Sequence, residues 1–260
     1  MSHIKQIKPS AIRRAFRLHE EWVEYLEHDD PCTTTIPQGK EIVLTNEIIR
    51  KINFTESDLF AGANLRKLNA SNLDFSRINF SRANFSETDF EGANFENSNF
   101  EGILAYSVNF SHTDFMEANF KNTNFKNSRF VRSCFKGTYL SDANFENANF
   151  ENAKFLSVDF KNSVFTGTNF GNAIFTGIAL QYTVTAGIQG FQVISCQLNS
   201  SEKNRVVQYW PELDIVTAGC FSGTLKELKK KIKETHKDNP DMRKKYNLVL
   251  DYIDAMVKLG

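Results

Sequence analysis

From Phe75 to Phe175 a phenylalanine occupies every fifth position, and only Ala105 and Leu140 break the series. The residue before each ring is mostly Asn or Asp (Asn79, Asn84, Asp89, Asn94, Asn99). Two before it stands something small or β-branched, such as Ala83, Thr88, Ala93, Ser98, Val108 or Ala118. The buried set therefore advances by two, three, two, three. On an α-helix a five-residue step turns about 140° past a full circle and scatters the rings around the axis. On a long strand an odd step sends alternate rings to opposite faces. A step of two then three suits a very short extended piece with two inward side chains followed by a corner, repeated. Self-similarity at a fixed period is the mark of a solenoid.

The unit Ala/Ser-Asn/Asp-Phe-x-x, sustained from about Asn64 to Leu180, resembles that of the pentapeptide repeat proteins. The resemblance implies an all-β solenoid: a right-handed quadrilateral β-helix with four pentapeptides per coil, the centre Phe or Leu and the small residue two earlier pointing inward. It covers roughly half the chain and is specific for fold, while the fold itself hosts many roles.

Around this core the chain divides into three parts. Residues 1–42 read as an N-terminal helix and linker. Ile12, Ala15, Phe16, His19, Trp22, Val23 and Leu26 recur at helical spacing behind Pro9-Ser10, a candidate cap for the open end of a solenoid. Residues 43–198 read as the β-helix. Leu44, Ile49, Phe54 and Leu59 step by five, and one extra residue near Phe60 or Ala61 precedes Leu65. At Ala105 the missing ring would leave a hole, with Leu104 or a displaced Tyr106 expected to fill it. Residues 181–198 read as a last irregular coil. Residues 199–260 read as a C-terminal helical cap: a connector over 199–215, one strand near Thr217–Phe221, and two helices. The first helix opens on a capping box at Thr224 and Glu227, the second on Asn239-Pro240-Asp241.

The 260-residue chain has 31 basic and 31 acidic side chains, so no global charge draws it to nucleic acid or acidic lipid. The N-terminal sequence lacks a signal-peptide core, and no apolar run spans a membrane. Cys32, Cys134, Cys196 and Cys220 show neither metal-ligand nor redox spacing. A cytoplasmic chain with no cofactor, no metal and no membrane partner is expected. A solenoid filled with phenylalanine has no interior room for a substrate. His112 and Asp114 are outward positions. The most enzyme-like stretch is Gly219–Thr224, where Cys220 could serve as a nucleophile near a helix N-terminus with His236 as base.

That leaves the exterior. Between Arg82 and Lys121 there is no Lys or Arg, while Glu87, Asp89, Glu91, Glu96, Glu101, Asp114 and Glu117 form an acidic zone, followed by Lys121, Lys126, Arg129, Arg132 and Lys136. Some members of the resembling family bind type II topoisomerases by imitating DNA. Here no outward column is acidic throughout: Glu91, Ser111, Val131 and Glu151 form one of them. Met116, Leu156 and Ile174, with Val164 and Ala179, place apolar side chains outward, and the C-terminal helices are expected to fold over part of them. Tyr246, Val249, Leu250, Ile253 and Met256 stripe the last helix. The basic tail (Lys229, Lys230, Lys231, Lys233, Arg243, Lys244, Lys245) reads as a solvated face, with nucleic-acid contact the lesser alternative.

The sequence thus describes a non-enzymatic protein-binding scaffold or inhibitor. Its acidic zone would meet another protein, such as a topoisomerase or defence nuclease, by partial DNA mimicry. Met116, Leu156, Ile174, Tyr246, Leu250 and Ile253 would serve as oligomer or cap contacts, with a homodimer through the C-terminal end. The competing readings are a self-associating structural protein and an enzyme with its site in 199–260.

Overall fold

The structure, a computed structural model, describes residues 60–199 and 204–259. The N-terminal helix and linker, and the coil positions up to Leu59, lie outside the described residues.

Through the repeats, each outward residue that precedes a centre residue pairs in parallel with its counterpart twenty positions on: Asn79 with Asn99, Asn99 with Asn119, Asp89 with Asn109. One coil is therefore four five-residue sides. Their centres run Phe80, Phe100, Phe120, Leu140, Phe160 on side I; Phe85, Ala105, Phe125, Phe145, Phe165 on side II; Phe90, Phe110, Phe130, Phe150, Phe170 on side III; and Phe95, Phe115, Phe135, Phe155, Phe175 on side IV. Among the described residues, the parallel contact widens into three-residue strands only on side IV, as β1 (Cys134–Lys136), β2 (Lys154–Leu156) and β3 (Ile174–Thr176).

At many corners the centre carbonyl accepts from the amide three residues on, closing a reverse turn, as Phe90 does from Ala93 at 3.0 Å. The residue two after the centre is left-handed, from Gly92 (φ 69°) to Glu117 (φ 57°) and His112 (φ 61°). This conformation favours Gly and Asn. The Asn or Asp before the centre steadies the turn, its Oδ1 accepting the amide two residues on, as in Asn94 from Glu96 at 3.0 Å. Inward hydroxyls are absorbed by the backbone: Thr88 donates to the Leu65 carbonyl at 2.7 Å, and Ser133 to that of Phe110 at 2.6 Å.

The twenty-residue register stacks ring on ring. Phe90 and Phe110 lie parallel at 5.4 Å, and Phe130 and Phe150 at 4.7 Å. Neighbours within a coil meet edge-on, as Phe90 and Phe95 do at 5.1 Å. Both are the favoured geometries of aromatic pairs.

Two local expectations are corrected. Phe60 is buried five positions ahead of Leu65, so no residue bulges between these two. At Ala105 neither Leu104 nor Tyr106 turns inward; both are exposed. The neighbouring inward position carries the buried Ile103 where the coils on either side have Ala83 and Thr123, so added bulk at one inward site offsets the missing ring at the next.

The coil count continues to the Asn169–Gln189 pairing, and the chain then leaves the stack. The C-terminal part is more than a connector and helices. An antiparallel sheet of β4 (Ile194–Asn199), β5 (Asn204–Trp210), β6 (Ile215–Ala218) and β7 (Phe221–Gly223) is laid across the end of the solenoid. The expected boundary at residue 198 falls inside β4. Residues 199–215, expected as a connector, contain all of β5 and a 3-10 turn at Pro211–Leu213.

Alternation along β5 gives the sheet two faces. Trp210 belongs to the solenoid core and touches Phe191, which in turn packs on Phe175 at 5.1 Å. Buried Gln208 donates to Thr185 at 3.0 Å and accepts from Thr183 at 3.3 Å, which accounts for the polar residues in the final coil. Val207 and Tyr209 join the other core, with α1 (Leu225–Thr235) and α2 (Pro240–Leu259). The order is thus coil stack, sheet, helices.

Phe115→Ala removes a buried ring stacked on Phe95 at 5.7 Å and on Phe135 at 5.0 Å. It is expected to lower unfolding free energy by about 3–5 kcal/mol, read from urea denaturation. A loss below about 1 kcal/mol would mean that the rings are not close-packed.

Candidate protein-binding surface

The coil register sorts the acidic zone by side. Asp89 and Glu91 lie on side III; Glu96, Asp114 and Glu117 lie on side IV, where Asp74 joins them. Glu87 and Glu101 lie on the other two sides, so the seven do not share one surface. Asp74 was missed in the sequence because it stands one coil before the cation-free stretch, close to Arg77. Its place becomes legible only when the chain is wound at twenty residues per coil.

Charge compensation differs between the two halves of the rod. Glu87 is paired with Arg66 at 3.3 Å, and Lys126–Glu146 (3.0 Å) and Lys161–Asp159 (3.9 Å) also lie on sides I and II. Four carboxylates of sides III and IV accept from asparagine side chains. Asn109 donates to Asp89 at 2.9 Å and to Glu91 at 3.2 Å, Asn94 to Asp74 at 3.2 Å, and Asn97 to Glu96 at 3.1 Å. At Asp89, Glu91 and Glu96 these neutral donors orient the carboxylate and leave its charge uncancelled. Asp89 and Asp114 also hold their own corners through the amides of Glu91 (3.1 Å) and Met116 (3.0 Å), the place Asn takes elsewhere. Glu91, Glu96 and Glu117 have no such duty in the turn.

Ser71, Asn72, Asp89, Glu91, Gly92 and His112 line a cleft of about 390 Å³ on side III. Asp114 lies around the corner from His112, so the two do not act as a pair. Farther along the same two sides the sign changes, with Arg129 and Arg132, then Lys136 and Lys154. Cys134 sits among them. Burial, and secondly Asp114, push its thiol above the ordinary value, while Lys154 and Lys136 pull partly the other way.

The apolar set divides. Met116 is half-buried, and Leu156 and Ile174, all on side IV, are 41% and 57% exposed. The expectation that the C-terminal helices cover them is overturned, because the helices lie on the sheet beyond the last coil. Tyr246, Leu250 and Ile253 are buried against Ile194, Val207 and Val216 in the core of the C-terminal unit. This stripe contacts the sheet and is not free to meet a second copy.

Nor are the enzyme-like residues brought together. Cys220 is in the β6–β7 turn, ahead of Thr224, which caps α1. His236 closes the far end of this eleven-residue helix, about 16 Å away, and stacks on Tyr246 at 5.2 Å. Hydrogen bonds from the Thr224 backbone and then its side chain hold the Glu227 carboxyl below the usual range. Burial, then Asp214, raises Tyr209. Among the described residues, no three His, Cys, Asp or Glu side chains could hold a metal ion, and no helix is long and apolar enough to cross a membrane.

A rod of stacked five-residue sides with an aromatic interior is the architecture of a β-solenoid. Residues 63–102 match the family model of pentapeptide repeats (eight copies), and residues 106–184 match that of a pentapeptide repeat region. The chain carries a pentapeptide-repeat domain. Among solved structures it is similar to a trypsin-treated variant of QnrB1, a plasmid-mediated fluoroquinolone resistance protein, at 21% identity over 50% of this chain and 83% of that one, TM-score 0.36. A pentapeptide repeat protein from the cyanobacterium Cyanothece 51142 matches at 20% identity over 50% and 84%, TM-score 0.30. HetL, involved in heterocyst differentiation regulation in the cyanobacterium Nostoc sp. strain PCC 7120, matches at 13% identity over 57% and 93%, TM-score 0.22. No curated protein sequence matches the chain.

Cys220 is exposed, whereas burial raises the thiols of Cys134 and Cys196. In a Cys32→Ser background, a thiol reagent at neutral pH should modify Cys220 first. The other two should react slowly and accelerate as pH rises, since the thiolate is the reactive form. Rapid stoichiometric modification of Cys220 well below neutral pH would instead reveal an activated nucleophile and revive the enzymatic reading.

Proposed function

We propose that the protein is a non-enzymatic, cytoplasmic binding scaffold that engages another protein through sides III and IV of a right-handed, square coil. The observation that carries this reading is the segregation of charge. Asp89, Glu91, Glu96, Asp114 and Glu117 crowd two adjacent sides without a described ion pair, while the ion pairs described for the solenoid lie on the other two.

The local density favours a DNA-handling partner, such as a topoisomerase or a defence nuclease. With Asp74, six carboxylates within three coils span about 10 Å at strand spacing, close to duplex DNA with one phosphate per about 1.7 Å. The imitation ends at Arg129, where cations take over. A partner surface that is basic and then acidic along the rod fits better than one that grips long DNA. Exposed Leu156 and Ile174 on side IV supply apolar contact beside the charges. Steering by such a field acts mainly on association rate and specificity.

The test is to recover the partner by affinity capture from the host and then titrate it against two charge-reversal variants. Glu91→Lys with Glu96→Lys and Glu117→Lys should weaken binding at least tenfold, at a cost of about 1.4 kcal/mol or more. Glu87→Lys with Glu101→Lys should leave it within about twofold of the native value. Equal losses in both variants, or none in either, would defeat the side-specific reading.

A further inference from the structure

The end of the rod carries a second exposed surface, unrelated to the acidic sides. The two helices run antiparallel, with Lys229 bound to Asp254 at 3.3 Å near one end and His236 stacked on Tyr246 near the other. Both turn their buried stripes to the sheet: Leu228 and Ile232 from α1, and Tyr246, Val249, Leu250 and Ile253 from α2. Among the described residues, the opposite faces are therefore the outermost surface at that end.

On α1 this outer face is a lysine stripe, Lys226, Lys230 and Lys233, which Lys237 extends past the helix at the same four-three-four spacing. On α2 it is apolar, again at four-three-four spacing: Leu248 (62% exposed), Tyr252 (43%), Ala255 and Leu259 (79%). An ordinary solvated helix has no reason to keep Leu and Tyr in a line opposite its buried stripe. From Thr224 to Leu259 there are ten Lys and Arg against six Asp and Glu, a net charge of +4 on a chain whose overall charge is zero.

The acids on this surface do not cancel the cations. Glu227 is occupied by the helix cap. Glu234 meets Lys230 at 3.8 Å and Asp238 meets Lys237 at 3.9 Å, long contacts between exposed groups. Asp241 and Asp251 are the exposed acids of α2.

We propose that the helical tip docks on an anionic lipid surface. The lysines would lie at the headgroups, and Leu248, Tyr252 and Leu259 would enter the interfacial layer. A bilayer of this kind offers negative charge and apolar depth side by side, and both stripes are satisfied at once. A nucleic acid would satisfy the lysines but set three large apolar side chains against a polar backbone. A second copy paired through the same face would bring two net-positive surfaces together, because a two-fold contact presents the same patch from both partners. The proposal revises the expectation of no membrane contact, which rested on the lack of a spanning segment and does not bear on surface attachment.

The full chain should sediment with phosphatidylcholine vesicles containing about one-third phosphatidylserine and not with phosphatidylcholine alone, and the binding should weaken as salt is raised. Lys226→Gln with Lys230→Gln and Lys233→Gln should weaken vesicle binding at least tenfold. Leu248→Ser with Tyr252→Ser should weaken it several-fold with circular dichroism unchanged. If those substitutions disturb the fold, Tyr252→Trp replaces them, and its fluorescence should shift to the blue on anionic vesicles. Failure to bind anionic vesicles would overturn the proposal. So would a Trp emission unmoved by vesicles, a dimer in solution abolished by Leu248→Ser with Tyr252→Ser, or tighter binding to a DNA duplex than to vesicles.

Discussion

The hydrogen-bonding register of twenty residues between coils governs the rest of the molecule. Once the amide of Phe90 donates to the carbonyl of Asn109 and that of Phe110 to Arg129, every side chain lies over one of the same repeat position. Like then stacks on like: rings on rings at about 5 Å, and amide on amide in the run Asn119, Asn99, Asn79, where each Nδ2 reaches the next Oδ1 at 3.1 Å. A parallel stack ordinarily needs long crossover connections. Here the other three sides of each coil are that crossover, and the left-handed position recurs in every repeat because each side must turn into the next.

The same register makes the ends the difficult part of the fold, since the last coil has unpaired backbone groups and an exposed face of rings. The sheet of β4–β7 answers both problems, with Phe191 and Trp210 continuing the aromatic core and Gln208 bonding Thr183 and Thr185 of the final coil, the second of which stands at a ring position. Gly190 marks the handover. A Cβ there would come within 2.6 Å of the Phe170 backbone, so only glycine lets the chain leave the stack so closely.

The solenoid was legible in the letters because a buried position every fifth residue admits few solutions, and the helix caps at Thr224 and Asn239 were legible because capping chemistry is local. The C-terminal sheet was not. β5 alternates between two cores, so its Val206, Val207, Gln208, Tyr209 and Trp210 show no clean apolar–polar period. The last helix misled in a different way: its stripe of Tyr246, Leu250 and Ile253 was visible, but what it faces depends on a sheet that the sequence did not announce. For the candidate surface, the composition of the acidic zone was readable and its geometry was not. Glu87 and Glu101 sit close in sequence to Glu91 and Glu96 and yet lie on other sides of the coil. The bulk that offsets Ala105 comes from Ile103, two residues away, and not from the immediate neighbours in the chain.

A filled interior makes the outside the working part, and the register divides that outside into sides. The most direct check places a photo-crosslinking residue in turn at positions 86, 91, 96 and 101, which pass once around a coil, and identifies what each captures from the host. The same protein is expected at 91 and 96 and not at 86. Capture of that protein from all four positions alike, or from 86 alone, would contradict a binding surface confined to sides III and IV.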